Sequence, residues 1–263
     1  MRINKPKVVF FEFLSTGVEV IFRVFALLVI LMTPVVAGSS ERSTIDLIFE
    51  LGESRLELAN YILRSSADFV AENPNISDRQ GYLGLKGILN DSEQFRSILA
   101  VDENGQLMFD SYNWIPFLGG ADLSARTYFQ ETTNKQGKGL SIGGIVVGKQ
   151  SGEVFIPLTM PVPNVSGRNQ KVMVLTALPS AFLPEQDFCA FCGVSMALDG
   201  NVIASSRPMS DVNEAVISKL HFDGQYGATN LKVRGMDVAV HWRKSSATSV
   251  VYLYYRATPI GAE

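Results

Sequence analysis

From Val24 to Ser40 the chain carries no charge, and from Ile45 to Val70 its apolar residues recur at three- and four-residue steps. The first stretch, VFALLVILMTPVVAGSS, reads as a membrane segment. Glu19 and Arg23 precede it at i, i+4 spacing, so a helix begun near Val18 keeps Arg23 among the headgroups. Arg2, Lys5 and Lys7 lie on its N-terminal side, which orients the N-terminus to the cytoplasm and the rest outward. A cleaved signal peptide is the rival reading. VVAG at 35–38 resembles a small-residue cleavage site, while Glu12 and Glu19 are foreign to a positive leader. Either way the bulk of the chain is expected outside the cytoplasm, and an uncleaved anchor makes it a single-pass inner-membrane protein.

The second stretch predicts a long extracytoplasmic helix through Ile45, Ile48, Phe49, Leu56, Ala59, Ile62, Leu63, Phe69 and Val70. Gly52 is its one internal breaker, and ENPN at 72–75 ends it. Such a helix can serve as a stalk and the seam of a homodimer, or it can pack only on its own domain. A shorter helix is expected from Ser77 to Leu89.

The period then changes to two. RSILAVDENGQLMFDS (96–111) reads as strand, turn, strand, with Asn104-Gly105 suited to a tight turn. SIGGIVVGKQSGEVFIPLTMPV (141–162) is a second hairpin, turned at 148–152, and QKVMVLTALPS (170–180) holds a buried strand. An internal echo follows. LAVDENGQLMFDS at 99–111 is matched by MALDGNVIASS at 196–206, with Asp102 and Asp199 at the same place in each turn. The echo predicts two related sheet-bearing units. The second continues with a helix at 211–220 and strands near 229–234, 236–243 and 248–256.

Composition narrows the function. Charged residues are 19% of the 263 and the formal net charge is −3, so no basic footprint for nucleic acid is present. No nucleophile elbow, phosphate loop or paired-histidine metal motif occurs, so neither an enzyme nor a metal or cofactor protein is expected. Cys189 and Cys192 form a C-x-x-C. Outside the cytoplasm this reads as a short-loop disulfide or two idle thiols. Zinc would need more ligands than His221 and His241 supply, and thioredoxin-like chemistry would need the motif at a helix start.

The order of pieces resembles a known family. A membrane helix, a long extracytoplasmic helix and two tandem PAS-like sheets are similar to the double Cache (dCache, or PDC) sensor domain of bacterial membrane receptors. DLSARTYFQE (122–131) followed by residues 140–162 is its most recognisable segment here. The resemblance implies an α+β fold with flanking helices. The expected organisation is a cytoplasmic N-terminus and anchor at 1–40, a stalk helix at 41–76, a membrane-distal Cache subdomain at 77–180 and a membrane-proximal one at 181–263. It also implies signal transduction from a small-molecule ligand, an organic acid or amino acid, bound in the distal subdomain.

By the same resemblance Arg126, Tyr128 and Phe129 match an arginine and aromatic pair that hold the ligand. A guanidinium can grip a carboxylate through two parallel hydrogen bonds. Trp114 can close this pocket or be a loop residue covering the sheet, and Ser141 and Gly143 can line the pocket from a facing strand. Two family positions are vacant: the expected tyrosine falls on Ala121, and the expected acid falls near Ala177. These losses favour a carboxylate ligand without an amine, or no ligand. After Val251 the sequence reads YLYYRATPIGAE, with no second apolar span or output module. The alternatives are therefore a truncated receptor, a receptor that signals through a separate partner, and a ligand-free periplasmic interaction or scaffold protein.

Overall fold

A computed structural model describes residues 36–90, 92–114, 121–134, 139–149, 151–162, 171–185, 188–206 and 210–258. The predicted membrane segment up to residue 35 lies outside them. Among the described residues no helix is long and apolar enough to cross a membrane. Residues 45–263 form one compact unit, and those before Ile45 belong to another.

Helix α1 runs from Val36 to Glu72. Pro74 cannot continue it, and the Asn73 side chain donates to the Phe69 carbonyl, satisfying one of the last turn's free acceptors. Helix α2 spans Asp78–Leu89. Ser77 and Gln80 form a capping box at its start, and Asn90 closes it in the left-handed conformation, φ 49°.

Two antiparallel sheets follow. The first contains β1 (Phe95–Val101), β2 (Leu107–Asp110), β3 (Ser141–Ile142), β4 (Val146–Val147), β5 (Val154–Pro161) and β6 (Val172–Ala177). Its order is β2-β1-β6-β5-β3, with β4 also pairing β5. The second contains β7 (Cys192–Leu198), β8 (Asn201–Ser205), β9 (Tyr226–Val233), β10 (Met236–Lys244) and β11 (Val250–Thr258), in the order β8-β7-β11-β10-β9. Helix α3 (Thr127–Asn134) precedes β3, and α4 (Ser210–Lys219) lies between β8 and β9.

With β4, which lies off the main path, left out of the count, both sheets read second, first, fifth, fourth, third, so the echo in sequence is an echo in topology. It extends to single atoms. Ser111 donates its N–H to the Ile98 carbonyl, and its hydroxyl accepts from Ile98 N at 2.8 Å. Ser206 makes the same pair of bonds to Val194, the second at 3.1 Å. The serine that ends each copy of the echo ties its hairpin shut.

One apolar cluster joins α1 to both sheets. It takes Ile48, Leu63 and Val70 from the helix, Ile98, Leu158 and Leu175 from the first sheet, and Val194, Met196 and Tyr252 from the second. Polar clamps reinforce the second contact. Arg243 of β10 pairs with Asp46 at 3.0 Å and lies over the Phe49 ring, and Ser245 donates to Glu53 at 2.8 Å. Every residue of β6 is buried, because alternate side chains serve two cores. Met173, Leu175 and Ala177 face the cluster with α1, while Val172 and Val174 join Val101, Leu123, Tyr128 and Phe129 on the opposite face.

Candidate functional site

That opposite face carries a cavity of about 120 Å³. A dry cavity of comparable size can take a six-carbon ring, so this one suits a small ligand. Its floor is Ser97 and Leu99 of β1 and Thr176 of β6. The two floor hydroxyls lie 2.9 Å apart, and the Thr176 hydroxyl also accepts from Ser97 N at 3.0 Å. Its walls bring together Arg96, Asp110, Tyr112, Arg126, Tyr128 and Lys149.

The turn bearing Arg126 is held above the sheet by the first hairpin. Leu123 N donates to the Gly105 carbonyl at 2.7 Å, and Gln106 bridges to Asp122. Gly105 is required here on two counts. Its φ is 84°, and a Cβ would sit 2.5 Å from the Ser124 backbone. The Ser124 side chain, and then its N–H at 2.8 Å, donate to the Asp122 carboxyl and hold it below the ordinary value. The Arg126 carbonyl then accepts from Phe129 N and Gln130 N as α3 begins.

Arg126 lines the cavity with one buried donor unused. One terminal nitrogen, Nη2, donates to the Val147 carbonyl at 3.1 Å. Its Nε is buried without a partner. An unpaired buried donor is costly, and a ligand acceptor would remove the cost. Tyr128 also lines the cavity, its phenol pushed up in pKa by burial.

The other expected residues lie elsewhere. Phe129 is buried in the apolar cluster beneath the turn and does not border the cavity. Trp114 is 54% exposed, its ring under the Arg79 guanidinium at 5.7 Å, and it is not among the residues lining this cavity. Ser141 and Gly143 lie at β3 and are not among the lining residues. Gly143 N instead bonds to the Pro157 carbonyl, and the Pro157 ring occupies the space its Cβ would need. Cys189 and Cys192 form a disulfide, the first of the two readings of that motif.

The sequence reading missed Asp110. This carboxylate is 6% exposed and borders the cavity from β2. It accepts from Tyr112 N at 2.8 Å and from the Asn113 side chain at 3.4 Å. Burial raises its pKa above the ordinary 3.8; those two residues and the Arg96 charge pull the other way and lose. The signal was in the echo: where the second copy ends Ser205-Ser206, the first ends Asp110-Ser111. The acid that borders the cavity thus stands on β2, not near Ala177.

A prediction follows from the sign of that shift. The folded chain holds the Asp110 proton more tightly than the unfolded chain, so ionised Asp110 weakens folding above its raised pKa. That penalty fades as pH falls through the raised value toward 3.8. Asp110→Asn is therefore expected to melt no lower than wild type at neutral pH, with any advantage gone in acid. Melting temperature against pH checks this; a lower melting temperature at neutral pH would contradict it.

The remaining cations are engaged. Arg96 pairs with Glu153 and lies over the Tyr112 ring at 5.2 Å. Lys149 Nζ donates to the Asp122 carbonyl at 2.9 Å, so it and Arg126 tie the β4–β5 hairpin to the 122–126 turn.

No family model and no curated sequence matches the chain. Solved structures do. The extracellular domain of the histidine kinase rpHK1S-Z16 superposes with a TM-score of 0.71 at 18% identity, covering 85% of this chain and 97% of that one. The ligand-binding domain of the Campylobacter jejuni chemoreceptor Tlp3, solved with 4-methylisoleucine, gives 0.62 at 11%, covering 89% and 98%. That of the Pseudomonas fluorescens chemoreceptor CtaA, solved with L-alanine, gives 0.61 at 11%, covering 86% and 99%. At such identities the likeness is one of fold. The fold is the dCache, or PDC, fold of ligand-binding sensor domains in histidine kinases and chemoreceptors.

Proposed function

We propose that this chain is an extracytoplasmic small-molecule sensor, non-enzymatic, whose ligand binds in the first sheet's cavity through Arg126. The observation that carries the reading is the buried, partnerless Nε of Arg126 at the wall of that cavity. A guanidinium presents two parallel donors to a carboxylate; here Nη2 already donates to the Val147 carbonyl, a bond that a ligand shares or displaces. Asp110 changes the preferred ligand. A pocket without an acid suits a bare carboxylate; a buried carboxylate bordering the same cavity as Arg126 suits a ligand that also carries an ammonium group. Tyr112 and Tyr128 give the remainder an aromatic surface. Amino-acid ligands in the Tlp3 and CtaA structures accord with this.

The receptor reading extends to the whole chain. Residues 1–40 anchor it in the inner membrane with the N-terminus inside, and α1 is the stalk. In this reading the second sheet is membrane-proximal and the cavity distal; the Arg243–Asp46 pair, early in α1, supports it. Leu47, Leu51, Ser54, Leu58 and Tyr61 follow the four–three alternation of a coiled-coil seam, and Leu47, Leu58 and Tyr61 are exposed. This face suits a second copy, giving a homodimer, and the signal passes on to an output module or a separate partner.

A thermal-melt screen of the purified full chain against amino acids, organic acids and amines tests the reading, with light scattering on the same samples. A ligand at 100 times its dissociation constant adds about 2.7 kcal/mol, or several degrees at this size. An amino acid is expected to shift wild type and to shift Asp110→Asn much less. Flat curves across the panel would sink the sensor in favour of the scaffold, and a monomeric mass would sink the dimer.

A further inference from the structure

The Cys189–Cys192 disulfide lies where the chain passes from the first sheet to the second. On one side the connector is fixed by Arg55 of α1, which donates to the Ala181 and Leu183 carbonyls. On the other, Cys192 opens β7 opposite Arg256, and Ala257 N bonds to the Phe191 carbonyl at 2.9 Å. A cross-link between residues only three apart restricts the unfolded chain less than a long-range one, contributing about 2 kcal/mol to folding. Its two sulfurs differ in surroundings. Cys189 is half-buried next to the exposed Phe191, whereas Cys192 is buried with its Sγ 3.1 Å from the Tyr254 hydroxyl. A disulfide sulfur has no proton to give, so the phenol is the donor.

We propose that this disulfide is a site of reversible thiol–disulfide exchange with a dithiol reductant, Cys189 being the sulfur attacked and Cys192 the leaving thiolate. The incoming thiolate bonds to Cys189 Sγ, the Cys189–Cys192 bond breaks, and its electron pair stays on Cys192. The Tyr254 O–H, already directed at that sulfur, stabilises the negative charge, and a better-stabilised leaving thiolate departs faster. The reductant's second thiol then displaces Cys189. The reductant ends as its own disulfide, and both protein sulfurs take up protons as thiols. Reduction frees residues 188–191 between two fixed anchor points, which loosens the link between the sheets. The inference does not depend on the identity, or the existence, of a ligand in the cavity.

The test uses the full chain in native buffer with dithiothreitol and no denaturant, read by the mass added on maleimide labelling. Reduction is expected to go to completion while the protein stays folded. Tyr254→Phe is expected to slow it about fivefold, the effect of one lost hydrogen bond, with little change in melting temperature. Glutathione trapping is expected to place the mixed disulfide on Cys189, a readout that wild type alone provides. A disulfide that resists reduction until the protein is unfolded overturns the proposal. An unchanged rate in Tyr254→Phe, or an adduct on Cys192, overturns the assignment of the two sulfurs.

Discussion

Arg126→Ala should weaken binding of the ligand found by the melting screen by about 100-fold or more while leaving the fold intact. Truncating one partner of a buried charge-assisted pair typically costs 2–5 kcal/mol, roughly 30-fold to several thousand-fold in affinity. The fold is spared because the turn is held by main-chain bonds, Leu123 N to the Gly105 carbonyl and Arg126 N to the Leu123 carbonyl, which alanine keeps. What alanine loses is the bond to the Val147 carbonyl and the free Nε. Arg126→Lys should recover only part of the affinity, since an ammonium keeps the charge but not the planar fork. Titration calorimetry on the three proteins decides. An alanine variant binding within threefold of wild type would remove Arg126 from the site.

Gly52→Ala should destabilise the protein by about 2 kcal/mol, although helix propensity argues for the opposite sign. In an exposed helix interior the change gains about 1 kcal/mol. Here a Cβ would stand 2.2 Å from a ring carbon of Tyr252, which is 0% exposed. That ring is already met edge-on by Phe49, with centroids 5.6 Å apart. It cannot withdraw without moving β11, so α1 and the second sheet must separate. Overpacking of this kind costs about 1–3 kcal/mol, and at the tight end it exceeds the propensity gain. At this size each kcal/mol is worth about 2–4 °C of melting temperature. Differential scanning calorimetry reads the shift; a higher melting temperature would mean that the contact relaxes freely.

The same glycine shows how sequence and structure divide the information. In sequence, Gly52 is a breaker inside an apolar repeat. In the structure the helix runs through it, because the missing side chain is the space Tyr252 occupies. The helices and hairpins were legible because each rests on local pattern: the three- and four-residue apolar repeat of α1, ENPN for its stop, and the period of two about the Asn104-Gly105 turn. The two sheets were legible because the echo repeats a whole hairpin, down to the serine that closes it.

The site divides differently. Arg126 and Tyr128 could be named from the segment that contains them. Asp110 is marked along the chain only by its departure from the echo, Asp110 where the second copy has Ser205; that it borders the same cavity as Arg126 is decided by the fold. Trp114, Ser141 and Gly143 were placed at the pocket by proximity in sequence to its other residues, and sequence proximity does not fix which face a side chain takes. In a strand one residue's shift reverses the face. The sequence by itself determined the elements and their duplication, because helix and strand periods are properties of neighbouring residues. Only the tertiary structure decided which side chains share the cavity, because it brings β2, the turn before α3 and the β4–β5 hairpin to one face of one sheet.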